Sequence, residues 1–154
     1  MKGKIIAILI ILLTIITGCK STEIELIENE YDNLIITDIS YDKTNKAISF
    51  KTENKSDEII TTGLGYTIEK YENKSWNKTN LTDNLVVIQI ALLINPTESI
   101  EEKIDLFQID TLSNGNYRIK KEYITSSKTI NEYIQFEVKD DKFINFTSYN
   151  TIKD

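Results

Sequence analysis

Histidine is absent from this 154-residue chain and cysteine occurs once, at Cys19, whereas Asp and Glu together number 24. An imidazole base, a His or Cys zinc site and an intrachain disulfide are therefore excluded by composition. Acid–base catalysis survives that filter, since it needs only two carboxylates at a fixed separation with divergent pKa values. Asp105, Asp110, Asp140 and Asp141 are the candidates, and they define one alternative, a carboxylate-dependent envelope hydrolase. Asp140 and Asp141 could also share calcium with carbonyl oxygens, yet the spacing of a calcium-binding loop is absent and adjacent acids are ordinary in turns. The expectation is no catalytic residue, no metal and no cofactor. Gly63-Leu64-Gly65 lacks the third glycine and the following helix of a nucleotide loop, so it reads as a bulge or close strand packing. Aromatic side chains offer a different chemistry. Tyr71 and Trp76 flank a polar hairpin, and Tyr123 and Tyr133 fall on neighbouring strands, where exposed rings can stack on sugar or anchor a protein.

The segment ahead of these residues decides where they work. Lys2 and Lys4 precede an apolar run from Ile5 to Ile16, which Thr17, Gly18 and Cys19 close. This is the order of a charged region, an apolar region and a small-residue cleavage site in a signal peptide. As a helix the run would cover about 18 Å at about 1.5 Å per residue, short of a hydrocarbon core of about 30 Å. Removal fits it better than a permanent span. Ile16-Thr17-Gly18-Cys19 resembles the lipobox of bacterial lipoproteins, with an aliphatic residue, two small residues and the cysteine to be modified. The resemblance implies cleavage between Gly18 and Cys19, a diacylglyceryl group carrying palmitate-type chains on the Cys19 sulfur, and anchoring in the cell membrane on its extracytoplasmic side. Two or three acyl chains hold firmly where one anchors marginally.

Removing residues 1–18 takes away Lys2 and Lys4, which leaves 16 basic residues against 24 acidic ones and a net charge of −8. That charge opposes electrostatic adhesion to anionic headgroups, argues against a nucleic-acid partner and favours a monomer. The length suits one domain, planned as a signal peptide at 1–18, a lipidated start and acidic tether at 19–30, and a folded unit at 31–148.

The elements of that unit read as strands and turns, because β-branched and aromatic residues recur in short runs between Asn, Asp, Lys, Ser and Gly. Ile35, Thr37, Ile39 and Tyr41 are expected on one face, and Ile48 and Phe50 alternate with Ala47, Ser49 and Lys51. After a turn at Asn54–Glu58, Leu64, Tyr66 and Ile68 face one way, and Glu72–Ser75 turns before Trp76. The nearly continuous apolar run Leu85–Ile94 reads as a strand buried on both faces in preference to a short helix. Asn95–Ser99 holds the single proline in a turn. Ile104 and Leu106 begin the next alternation, Thr111–Asn116 is a corner, and Tyr117–Ile124 is a strand. Ile134, Phe136 and Val138 then alternate with Tyr133, Gln135 and Glu137, and Asp140–Lys142 turns into a last segment, Phe143–Phe146. Seven to eight strands at this spacing predict an all-β antiparallel sandwich.

Leu112-Ser113-Asn114-Gly115-Asn116-Tyr117-Arg118 reads as a tyrosine corner built on Leu112, Gly115 and Tyr117: the ring enters the core, its hydroxyl returns to upstream backbone, and Gly115 supplies a conformation a Cβ would resist. Together with Tyr66-Thr67-Ile68-Glu69-Lys70, Trp76 and the Pro96–Ser99 turn, this order resembles the bacterial Ig-like domains of Gram-positive surface proteins over residues 31–139. The resemblance implies an immunoglobulin-like sandwich without catalytic residues, a membrane-anchored module for an envelope protein or glycan, and Tyr71 and Trp76 as partner contacts. Where those domains usually carry Gly-Lys-Trp and Pro-Gly, this chain has Asn73-Lys74-Ser75-Trp76 and Asn114-Gly115.

Overall fold

Period-two alternation of Ile, Val, Phe and Tyr with polar residues has no stable solution except a sheet with one face covered, and the chain meets that requirement with two sheets. The computed structural model describes residues 27–86, 88–107 and 112–153. The expected signal peptide, Gly18, Cys19 and Asp110 lie outside the described residues, as do most of the tether and Val87 within the apolar run. Ten strands follow in order: β1 (Leu34–Asp42), β2 (Ala47–Asn54), β3 (Ile60–Thr62), β4 (Thr67–Glu72), β5 (Ser75–Lys78), β6 (Leu92–Ile94), β7 (Ser99–Asp105), β8 (Gly115–Ile124), β9 (Thr129–Lys139) and β10 (Lys142–Lys153). No helix occurs among the described residues.

All pairings among the described residues are antiparallel. β1, β2 and β7 form a three-stranded sheet, and β10, β9, β8, β3 and β6 form the spine of a seven-stranded one, in which β4 also pairs with β8 and β5 with β4. The sheets bury their facing sides in a main cluster, including Ile48, Phe50 and Ile104 from one and Ile68, Ile119, Ile134 and Phe136 from the other. A second cluster of Tyr31, Leu34, Ile60, Ile94, Tyr123 and Ile130 fills one end. Residue spacing predicted seven to eight strands. The count rises to ten because the line of chain beside β8 is broken into β3 and β4 and because the hairpin partner β5 is a strand of its own.

Departures from simple alternation have a local cause. In β1, Leu34 and Ile36 face the core in place of Ile35 and Thr37, while Ile39 and Tyr41 pack there as expected. Register jumps between Thr37 and Ser40, so two residues oppose one on β2, and Asp38 takes φ 55°. A bulge adds one residue and thereby reverses the phase downstream. β10 repeats the device at Asn145, φ 58°, between Ile144 and Thr147, which lets Phe143 and Phe146, three residues apart, both meet the core. That strand continues to Lys153, beyond the expected end at Phe146.

Two hairpins close on two-residue turns with both residues at positive φ, Asn73 (55°) and Lys74 (65°), then Asp140 (49°) and Asp141 (60°). That geometry matches the right-handed twist of the flanking strands.

Leu85–Ile94 overturns its expectation. Among its described residues only Leu92–Ile94 form a strand, and Val86, Ile88 and Leu93 are 86%, 69% and 58% exposed. Leu64 is exposed as well. Periodicity reports a run's hydrophobicity but not whether a second layer exists to cover it, and here the run borders the sheet edge, where β6 has β3 as its partner.

Candidate functional site

β4 and β5 place Tyr71 directly opposite Trp76, so the two rings meet edge to face with centroids 5.1 Å apart. Arg118 occupies the outward position of β8 opposite Glu69. Its guanidinium carbon lies 4.6 Å from the Trp76 ring centroid and 4.3 Å from that of Tyr133. Tyr133 in turn stacks on Tyr149 at 4.9 Å. Arg118 donates to the Glu69 carboxylate through Nε and an ion pair, and to the Tyr149 hydroxyl. Burial raises the Tyr149 pKa and the Arg118 charge opposes the rise. A planar, fully charged guanidinium can stack on two rings and bind a carboxylate edge-on at once, which an ammonium cannot. The result is a fixed aromatic face on the outer side of the large sheet, with Tyr71 and Trp76 half-buried at its rim. Tyr133, expected to be an outward ring, is half-buried within this stack. Tyr123 leaves the group of exposed aromatics altogether: it is wholly buried.

The corner residues come together at the start of β8. Leu112 and Tyr117 share the main cluster, and the Tyr117 hydroxyl donates to the Ser113 carbonyl at 3.0 Å, four residues upstream. Gly115 has φ 152°, and a Cβ there would sit 3.2 Å from the Lys70 side chain.

Between the sheets lies a polar group that sequence reasoning missed. Glu102 of β7 accepts from the Thr52 and Tyr123 hydroxyls and pairs with Lys121 of β8 at 2.9 Å, both charged side chains being almost fully buried. Lys121 also donates to the Gly63 carbonyl at 2.9 Å. Its register partner on β9, Glu132, makes no ion pair among the described residues and leaves Oε2 buried without a hydrogen-bond partner. Burial, reinforced by the Glu102 charge and opposed by the Asn150 amide, holds the Glu132 carboxyl well above the usual carboxylate range. Burial and the same Glu102 charge push the Tyr123 hydroxyl far up. The signal was available: Tyr117 facing inward puts Ile119, Lys121 and Tyr123 inward too, and Ile104 and Ile134 do the same for Glu102 and Glu132.

Four residues, Gly63–Tyr66, span the break between β3 and β4 opposite Lys121 and Glu122 of β8. The expected bulge at Gly63-Leu64-Gly65 thus takes the form of an interrupted strand. The break, Leu85 and residues 88–91 wall a cleft of about 810 Å³. Tyr66 crosses from the break to donate to the Asp105 carbonyl at 2.7 Å, and burial with the nearby Asp105 charge pushes its hydroxyl up to about 12.

The expected carboxylate candidates do not converge. Asp105 ends β7, exposed and ion-paired to Lys103 at 2.7 Å, while Asp140 and Asp141 form the exposed turn of another hairpin. Among the described residues lining the cleft, Glu122 is the one carboxylate, whereas a hydrolase of this class needs two. No group of three or more potential metal ligands occurs among the described residues. No described helix is long and apolar enough to cross a membrane.

Residues 28–140, well over half of the chain, match the family model described as bacterial Ig-like domain. No curated protein matches the chain.

Proposed function

The chain belongs to the bacterial Ig-like domain family, and from that membership together with the lipobox-like Ile16-Thr17-Gly18-Cys19 we propose a monomeric cell-envelope lipoprotein, held on the extracytoplasmic side of the membrane by acyl chains on Cys19. Its domain is a non-enzymatic module that binds an envelope protein or glycan through the aromatic face at Tyr71 and Trp76. One observation carries the binding reading: the Arg118 guanidinium sits between the Trp76 and Tyr133 rings, 4.6 Å and 4.3 Å from their centroids. Rings fixed before a partner arrives lose little side-chain entropy on contact, and Trp, Tyr and Arg are the types that dominate binding energy at interfaces. The non-enzymatic reading draws support from the family and from the enclosure of Glu102 and Glu132 between sheets.

Two arms test this. Crosslinking on intact cells should recover a partner with the wild-type chain and lose it with Tyr71→Ala and Trp76→Ala, at unchanged membrane retention. An unaltered crosslinking pattern rejects the binding face. Labelling with a clickable fatty acid should mark the wild type and not Cys19→Ser, and equal incorporation rejects the anchor.

A further inference from the structure

The outer face of the large sheet carries an apolar surface that neither the aromatic face nor the core uses. Ile124, Thr61 and Leu93 are register partners across β8, β3 and β6. They point outward because Tyr123, Ile60 and Ile94 fill the inward positions, each with no exposed surface. Ile59, just ahead of β3, and Ile88 and Ile90 on the cleft wall are exposed as well. No charged residue or proline occurs from Leu85 to Ile94. Sheet edges of this composition are ordinarily blunted by Lys or Pro, and a contiguous exposed apolar patch marks a contact surface.

The chain enters the domain near this row, the Glu30 amide donating to the Asn150 carbonyl three residues before Lys153. The Ile152 amide donates to the Glu30 carboxylate, and the next residue, Lys153, is in register with Thr129, which is in register with Ile124. Leu93 therefore lies four strand spacings from Lys153 and one more from the entry beside β10, about 24 Å at the usual spacing of about 4.8 Å. From Cys19 to Ile27 the chain reaches at most about 28 Å when extended. Glu122, on the same face of β8, is paired to Lys153 at 3.1 Å, which lessens the repulsion that anionic headgroups exert on an acidic domain.

The geometry points to the lipid bilayer as the occupant. Resting on the reading of Cys19 as the lipid-bearing residue, this assignment lays Ile59, Leu93, Ile124 and the cleft wall at Ile88 and Ile90 against the leaflet that holds the anchor. The domain then reclines on the membrane through one end of its large sheet. Arg118, six residues back along β8, stands about 20 Å from Ile124 at about 3.3 Å per residue, so the aromatic face stays clear for a partner.

The test uses the full acylated chain carrying Leu93→Cys or, at the opposite end of the sheet, Lys142→Cys, each labelled with an environment-sensitive fluorophore. The chains are reconstituted in phosphatidylethanolamine–phosphatidylglycerol vesicles containing spin-labelled lipid. Quenching at position 93 should exceed that at 142 several-fold, and Ile124→Asp should reduce it without releasing the protein. Equal quenching at both positions, with the chain sedimenting with the vesicles, overturns the bilayer contact and leaves the anchor standing. An intact chain that fails to sediment defeats the anchor, and the contact with it. A label at 93 that is unquenched in vesicles yet shielded from iodide on whole cells assigns the surface to a protein and overturns the proposal.

Discussion

The Lys121 ammonium and the Glu102 carboxylate meet 2.9 Å apart between the two sheets, with the Thr52 and Tyr123 hydroxyls completing the shell around Glu102. Breaking one side of such a buried pair leaves an uncompensated charge. Lys121→Met should therefore cost about 3 to 5 kcal/mol, and adding Glu102→Gln should recover part of that loss. Urea midpoints of the two single variants and the double variant check it. Strictly additive losses would deny the coupling.

The hydroxyl of Tyr117 gives a separate measure of the corner. Tyr117→Phe removes the bond to the Ser113 carbonyl and should cost about 0.5 to 1.5 kcal/mol, whereas Tyr117→Ala opens a cavity and should cost about 3 to 5 kcal/mol. Tyr133→Ala, a natural choice of surface control, removes a ring stacked on Tyr149 and Arg118. Exposed Lys142 is the better control. Equal losses for Tyr117→Ala and Lys142→Ala would show that the corner fastens nothing.

Glu132 sets a pH dependence of definite sign. Its folded pKa is raised, first by burial and then by the Glu102 charge, so the folded state holds a proton that the unfolded chain releases in the ordinary carboxylate range. Its contribution to stability is fully present below that range and is lost as pH rises toward the folded value, at about 1.4 kcal/mol for each tenfold in proton affinity. Glu132→Gln mimics the protonated group and should flatten this decline, raising stability at neutral pH. Asp42 and Glu58, lowered by hydrogen bonds from Asn45 and Ser126 respectively, slope the other way in acid, so the comparison is between wild type and variant across the same pH series. Parallel curves would refute a proton on Glu132.

Trp76 is the sole tryptophan, and its emission therefore reports the aromatic face alone. Arg118→Lys gives up the planar stack and the paired bonds to Glu69, which should cost about 1.5 to 3 kcal/mol and shift the emission to the red. An unshifted spectrum with unchanged stability would mean that the stack does not order the ring.

Most of the sandwich was legible because its core strands obey period two. Ile48 with Phe50, Ile104 with Leu106, and Ile134 with Phe136 and Val138 face inward as their alternation requires. The same rule, carried one step further, places Lys121, Glu102 and Glu132 inside; reading charge as a sign of solvent hides them. The bulges at Asp38 and Asn145 reverse the phase where a short polar residue enters the left-handed region, and neither residue type announces this by itself. The exposure of Leu85–Ile94 was not legible because it depends on which neighbours the topology supplies. Arg118 was visible as a residue, but its meeting with Trp76 and Tyr133 required the strand order β5-β4-β8-β9.

The first described residues are tied to the last strand. Asn150 accepts from the Tyr31 amide through its side chain and donates to the Tyr31 and Leu34 carbonyls, Glu30 donates to the Asn150 carbonyl, and Asn29 accepts from the Asn150 amide. A pull on the N-terminus is thus delivered to β10, which shares ten register pairs with β9, before it reaches β1. Tension along paired strands loads many hydrogen bonds at once, while tension across them opens one at a time. Under the anchoring proposed at Cys19, drag on a partner would reach first the seam between β10 and β9, whose ten register pairs equal those between β9 and β8.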